Sequence, residues 1–120
     1  MCTYLNFIKE KGNSFSKMSF ESNEFALKID DTLEALKILK DNKVAVLGGD
    51  ILTEDNQHLV YAYQVWGDEY QYLNWYCDKS DDENVAEYLQ RSHICAKESI
   101  IKANKIAENL QMKCYINLVI

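Results

Sequence analysis

Gly48-Gly49-Asp50, His58, His93 and four cysteines are the residues whose types could hold a phosphate, move a proton or bind a metal. A Gly-Gly-Asp corner can offer backbone N–H groups to an anion. No Walker-type G-K-[ST] accompanies it, and a lone triplet reads first as a turn or bulge that ends a strand. His58 and His93 are isolated, with no base–nucleophile pattern around them, so they read as surface or structural residues. Cys95 lies two positions from His93, and in a helix such residues face different ways. Cys2, Cys77, Cys95 and Cys114 are far apart and form no C-x-x-C. They read as buried small hydrophobes of a reducing compartment, Cys2 being the most exposed, and not as a zinc site. Carboxylates are plentiful but lie in solvated runs such as Asp81-Asp82-Glu83, whereas glycosidase-like chemistry needs two facing across a cleft. The expectation is a protein that is not an enzyme and uses no cofactor and no metal. The alternative, a small ligand-binding or enzymatic domain, requires a pocket where Asp50 meets His58 or another titratable group.

Binding is better represented than catalysis. Trp66 to Tyr76, WGDEYQYLNWY, interleaves aromatic residues with Asp68 and Glu69. Tyr and Trp dominate interface hot spots, and neighbouring charges add steering. The net charge of −6 is not evenly spread. Residues 1–49 and 84–120 are neutral or slightly basic. Residues 50–83 carry Asp50, Glu54, Asp55, Asp68, Glu69, Asp78, Asp81, Asp82 and Glu83 against Lys79 alone. An acidic face repels nucleic acid and anionic membrane and attracts basic proteins. The expected partner-binding residues are Asp50, Glu54, Asp55, Trp66, Asp68, Glu69, Tyr70, Tyr72, Trp75, Tyr76 and Asp78. A homodimeric interaction module using the same aromatic patch is a further alternative, so self-association stays open.

These residues need a scaffold. The length of 120 residues, 48% hydrophobic and 27% charged, suits one domain over residues 1–120 with a working core. No apolar run is long enough for a membrane span and no signal-peptide core stands at the N-terminus, so a cytoplasmic location is expected. Residues 3–11 read as a helix or an edge strand, and Gly12 to Ser22 as a loop tucked in by Phe15, Met18 and Phe20. A helix is expected from Thr32 to Asp41, capped by Asp30, Asp31 or Thr32, with Leu33, Leu36 and Leu39 on its stripe. Lys43 to Tyr63 reads as a β-hairpin with arms Val44–Leu47 and His58–Val65, joined through Gly48-Gly49-Asp50 and a polar loop from Thr53 to Gln57. Ile51-Leu52 extends the first arm. A third strand is expected near Tyr70 to Tyr76. Ser80 and Glu83 have the capping-box form. The helix after them, over 82–110, carries Val85, Leu89, Ser92, Ala96, Ile100, Ala103, Ala107 and Leu110 on one stripe, with a bend near Ser92-His93 or Ser99. Cys114 to Ile120 closes as a strand. The fold class is α+β: a small antiparallel or mixed sheet with a medium helix and a long helix in the C-terminal half packed on it.

The order of these features resembles the immunity protein 40 family of bacterial polymorphic toxin systems. The matching pieces are Glu24-Phe25-Ala26-Leu27, Leu33 to Leu39, Val46-Leu47-Gly48-Gly49-Asp50-Ile51-Leu52, the pair Trp75-Tyr76, and the Ser-capped helix with Tyr88-Leu89. They span roughly residues 24–120. The resemblance implies a small α+β protein without catalysis that binds and neutralises a cognate toxin domain made by its own cell. It supplies no partner-contact residues and does not identify the toxin's activity. The acidic charge suits a basic target such as a nuclease. The triplet Gly48-Gly49-Asp50 is also similar to one in signalling cyclases, but Ile-Leu follows it where those have Glu-Phe.

Overall fold

The computed structural model describes Phe7, Lys11, residues 13–14 and residues 25–120. The expectations for Cys2, for Phe15, Met18 and Phe20, and for most of residues 3–11 fall outside them. Phe7 is helical and half-buried against the core. β1 (Asn13–Ser14) is a strand where the sequence reads as loop. There follow β2 (Phe25–Lys28), α1 (Ile29–Asp41), β3 (Gly48–Asp55), β4 (His58–Tyr61), α2 (Ala62–Trp66), a 3-10 helix (Asp68–Leu73), β5 (Trp75–Tyr76), α3 (Val85–Leu110) and β6 (Tyr115–Val119). The fold is α+β, as expected. Every pairing among the described strands is antiparallel, in the order β1-β2-β6-β3-β4, and β5 pairs with β3 beyond the end of β4.

Strand alternation divides the sheet into two faces. Leu27, Ile51, Trp75, Ile116 and Leu118 join one core cluster with Ala35, Leu36 and Leu39 of α1 and Ala96, Ile100 and Ala103 of α3. The opposite face carries Ala26, Leu52, Leu59 and Tyr115 as a second cluster. α1 starts at Ile29, earlier than the sequence suggests, and its N-cap is Lys28 with no side-chain cap. The buried Thr32 hydroxyl donates back to the carbonyls of Lys28 (2.7 Å) and Leu27 (3.2 Å), so it ties the strand–helix corner and caps nothing. Asp30 and Asp31 sit in the first turn, where the helix dipole favours them.

Three strand assignments need correction. Val44–Leu47 is an extended connector and not a strand: Val46 N donates to Ser92 Oγ (3.1 Å), and the Val44 carbonyl meets His93 Nε2 at 2.8 Å. The side chains of α3 thus take up backbone groups that a sheet neighbour would otherwise take. The strand begins where the sequence reading ends it, at Gly48. The hairpin is real but short: its arms are β3 and β4, and Asn56-Gln57, at φ 52° and 68°, make its two-residue turn. β4 stops at Tyr61, and Ala62 to Trp66 is helical. Tyr70 to Leu73 is 3-10 helix, leaving only Trp75–Tyr76 as a strand.

α3 has 26 residues, about 39 Å at 1.5 Å per residue, and runs without interruption past Ser92 and Ser99. Its capping box is Asn84 with Glu87, not Ser80 with Glu83. Ser92, Ala96, Ile100, Ala103 and Ala107 are buried as the stripe requires, while Val85 and Leu110 at its ends are exposed.

Candidate partner-binding face

The residues between β4 and α3 are held by three devices. The first is Gly67, which joins α2 to the 3-10 helix at φ 129°, a conformation open essentially to glycine alone. Beside it Trp66 and Tyr70 pack edge to face, ring centroids 6.1 Å apart, and half-bury each other against the core.

The second device is the fit of Trp75 over the glycine pair. Gly48 pairs with Tyr76 on one side and Val119 on the other, and Gly49 with Trp75 and Leu118. A Cβ at Gly49 would overlap the Trp75 indole, and one at Gly48 the Trp75 carbonyl oxygen. Neither glycine has positive φ. The pair is there to admit a ring and a backbone, not to turn a corner, which corrects the sequence reading. The N–H of Ile51, next along β3, donates to Asn74 Oδ1 at 2.7 Å.

The third device is Arg91, the only arginine of the chain. Its Nε donates to Glu83 Oε2 (2.6 Å) and its Nη2 to Glu83 Oε1 (2.7 Å), a bidentate pair. Nη2 also donates to the Asp78 carbonyl (2.6 Å) and Nη1 to Cys77 Sγ (3.2 Å). The guanidinium lies 5.6 Å from the Tyr88 ring centroid, and Tyr88 Oη donates to the Cys77 carbonyl. Residues 77–83 are therefore clamped onto α3. The guanidinium, with the Ser80 N–H, holds the Glu83 carboxyl at about 2, well below its ordinary 4.5. The same hydrogen bond raises Arg91. Burial pushes the Cys77 thiol up, more than the guanidinium pulls it down, so it is no activated nucleophile. Arg91 was not among the expected site residues. Its signal was present: a lone arginine among lysines, on a helix facing an acidic run, suggests a fork-shaped demand that lysine cannot meet.

This frame spends the Glu83 carboxylate internally and leaves Asp68, Glu69, Asp78, Asp81 and Asp82 exposed. Tyr72 is 60% and Tyr76 85% exposed, and Lys102 Nζ sits 5.8 Å from the Tyr72 ring centroid. Trp75 leaves the expected contact set, since at 8% exposure it is core. Trp66 and Tyr70 are half-buried supports. Glu54 and Asp55 lie at the other end of β3, about 17 and about 20 Å from Gly49 at 3.3 Å per residue. Glu54 is occupied: Tyr115 Oη donates to it at 2.9 Å and Lys113 Nζ at 3.2 Å, and both hold its pKa low. Asp50 is half-buried and registers with Asn117. His58 registers with Asp55 at the hairpin end, so the pocket in which Asp50 would meet His58 does not form. Of the eleven expected residues, Asp68, Glu69, Tyr72, Tyr76 and Asp78 are exposed between β4 and α3, Trp66 and Tyr70 are supports, Trp75 is core, Asp50 is half-buried in β3, and Glu54 and Asp55 lie at the far end of the hairpin.

Among the described residues no group of three or more His, Cys, Asp and Glu side chains could hold a metal, and no helix is long and apolar enough to cross a membrane. The sequence matches the model of the immunity protein 40 family over residues 14–120. No curated protein and no solved structure matches the chain.

Proposed function

The chain belongs to the immunity protein 40 family, whose members neutralise toxins, and we propose that it does so by tight binding to one cognate bacterial toxin domain, without catalysis, in the cytoplasm. The observation that carries this reading is the braced acidic face. Asp68, Glu69, Asp78, Asp81 and Asp82 are exposed on the same stretch of chain as the exposed Tyr72 and Tyr76, and that stretch is fixed by Gly67, Trp75 and Arg91. Pre-ordered segments lose little entropy on docking. The carboxylates speed encounter with a basic toxin surface, and the two tyrosines supply apolar area after contact. Inhibition follows by covering the toxin's active site or a surface it needs.

The test needs the cognate toxin domain, to be sought in the gene neighbouring that of this chain. Asp68→Asn/Glu69→Gln/Asp78→Asn should lower the association rate at low salt and flatten its salt dependence. Tyr72→Ala/Tyr76→Ala should act on dissociation instead. Failure of the two proteins to co-purify, or association kinetics untouched by the three neutralisations, would sink this reading.

A further inference from the structure

The opposite charge gathers elsewhere, in a groove of about 520 Å³ between α1 and α3. Leu33, Leu36, Lys37 and Lys40 line it from α1, and Gln90, His93, Ile94 and Lys97 from α3. Each set has the spacing i, i+3, i+4, i+7, one stripe of a helix. Two parallel-sided stripes with an apolar floor make the seat that a third helix fills. The floor does not end with the groove: Ile94 is 53% exposed, and Ile101, two turns further along α3, is exposed as well. An elongated open strip suits a helical segment better than a compact small molecule.

The rim specifies the charge of that segment. Lys37, Lys40 and Lys97 border the groove, no carboxylate lines it, and none of the three ammonium groups has an ion-pair partner among the described residues. In a chain of net charge −6, three unpaired lysines around an apolar floor are a local reversal of sign. We propose that this groove docks an acidic amphipathic helix of a partner protein, its apolar face on Leu33, Leu36 and Ile94 and its carboxylates toward Lys37, Lys40 and Lys97. The site is separate from the acidic face and does not depend on the toxin reading.

The probe is a fluorescein-labelled synthetic peptide with leucines at helical i, i+4, i+7 spacing and glutamates on the other face. Fluorescence anisotropy with the full chain should show binding that weakens as salt rises. Lys37→Glu/Lys40→Glu/Lys97→Glu should weaken it by about tenfold or more, and Ile94→Asp likewise. Lys105→Glu should leave it unchanged, as should Asp68→Asn/Glu69→Gln/Asp78→Asn, which tests the other face. All exchanged residues are exposed, and circular dichroism verifies folding. The proposal is overturned by no binding, by equal binding of a peptide with lysine in place of glutamate, or by equal affinity in the triple-lysine variant. It is also overturned if phosphatidylglycerol vesicles bind through the same lysines, making the occupant a lipid surface. Sedimentation that shows a dimer lost in the triple-lysine variant would make the occupant a second copy, and overturns it too.

Discussion

Gly49→Ala separates two effects that have opposite signs. Gly49 has no positive φ, so alanine suits its backbone. On conformational entropy alone the exchange should stabilise by about 0.4–1 kcal/mol. Against this stands the Trp75 ring. The added Cβ would lie 2.5 Å from Cζ3 and 2.7 Å from Cζ2, with Cη2 closer still. Carbon atoms in contact prefer about 3.5–4.0 Å, so the ring must retreat by about 1 Å or more. Trp75 is buried among Ile51, Leu118 and the helices, and a packed core resists such movement. Overpacking of this kind costs about 1–3 kcal/mol. The net expectation is a destabilisation of about 1–2 kcal/mol, read as a lower urea midpoint at unchanged slope and a Tm lower by roughly 4–8 °C. Trp75→Leu removes the ring and costs about 2–4 kcal/mol by itself. In that background Gly49→Ala should become neutral or stabilising, so the double-mutant cycle shows coupling of about 1 kcal/mol or more. A stabilised Gly49→Ala in the parent chain, or strict additivity with Trp75→Leu, would refute the claim that the glycine exists to admit the indole.

Arg91→Met should release the 77–83 loop, so trypsin should cut after Lys79 faster in the variant than in the parent, while α3 stays helical by circular dichroism. Arg91→Lys should not restore protection, since one ammonium cannot serve Glu83, Asp78 and Cys77 together. Ser92→Ala leaves the buried Val46 N–H unpaired and should cost about 1–3 kcal/mol in urea unfolding. Gln111→Gly should stabilise by about 0.5–1 kcal/mol, because residue 111 ends α3 in the left-handed region at φ 57°. Stability should decline at both pH extremes. Burial pushes Cys114 from 9.0 and Tyr115 from 10.0 up to about 12, so their contribution is complete below 9 and is lost as pH rises toward 12. Glu83 is lowered from 4.5 to about 2, so its contribution is complete above 4.5 and is lost as pH falls toward 2, and Glu54, lowered as well, acts in the same direction. Urea midpoints across pH test both limbs.

Local signals located the two long helices and the last strand well. The stripe from Ser92 to Ala107 and the β-rich run at Tyr115 to Val119 each announce themselves by period and composition. What was not legible depended on distant partners. Val44 to Leu47 has strand composition, yet Ser92 and His93 take up the Val46 N–H and the Val44 carbonyl from another element. Tyr63, Tyr70 and Tyr72 have strand propensity, yet Gly67 and the packing of Trp66 on Tyr70 turn that segment into two short helices. Gly48-Gly49 looks like a turn until Trp75 is seen against it. In the candidate site, composition found the acids and tyrosines, but it could not separate rings that support from rings that project, nor foresee that Arg91 would claim Glu83.

The place of β6 has a consequence for the time course of folding. It lies between β2 and β3, and partners such as Gly48 and Val119 stand more than half the chain apart. Such pairing makes folding slow for the size, in milliseconds to seconds, because long loops must close before contacts reward them. On the ribosome, β3 and β4 can form their hairpin early, but β3 lacks its second neighbour until residues 115–119 emerge. The Val119 carbonyl that receives the Leu47 N–H arrives with them. Under the proposed toxin-binding role, only finished chains would therefore protect the cell.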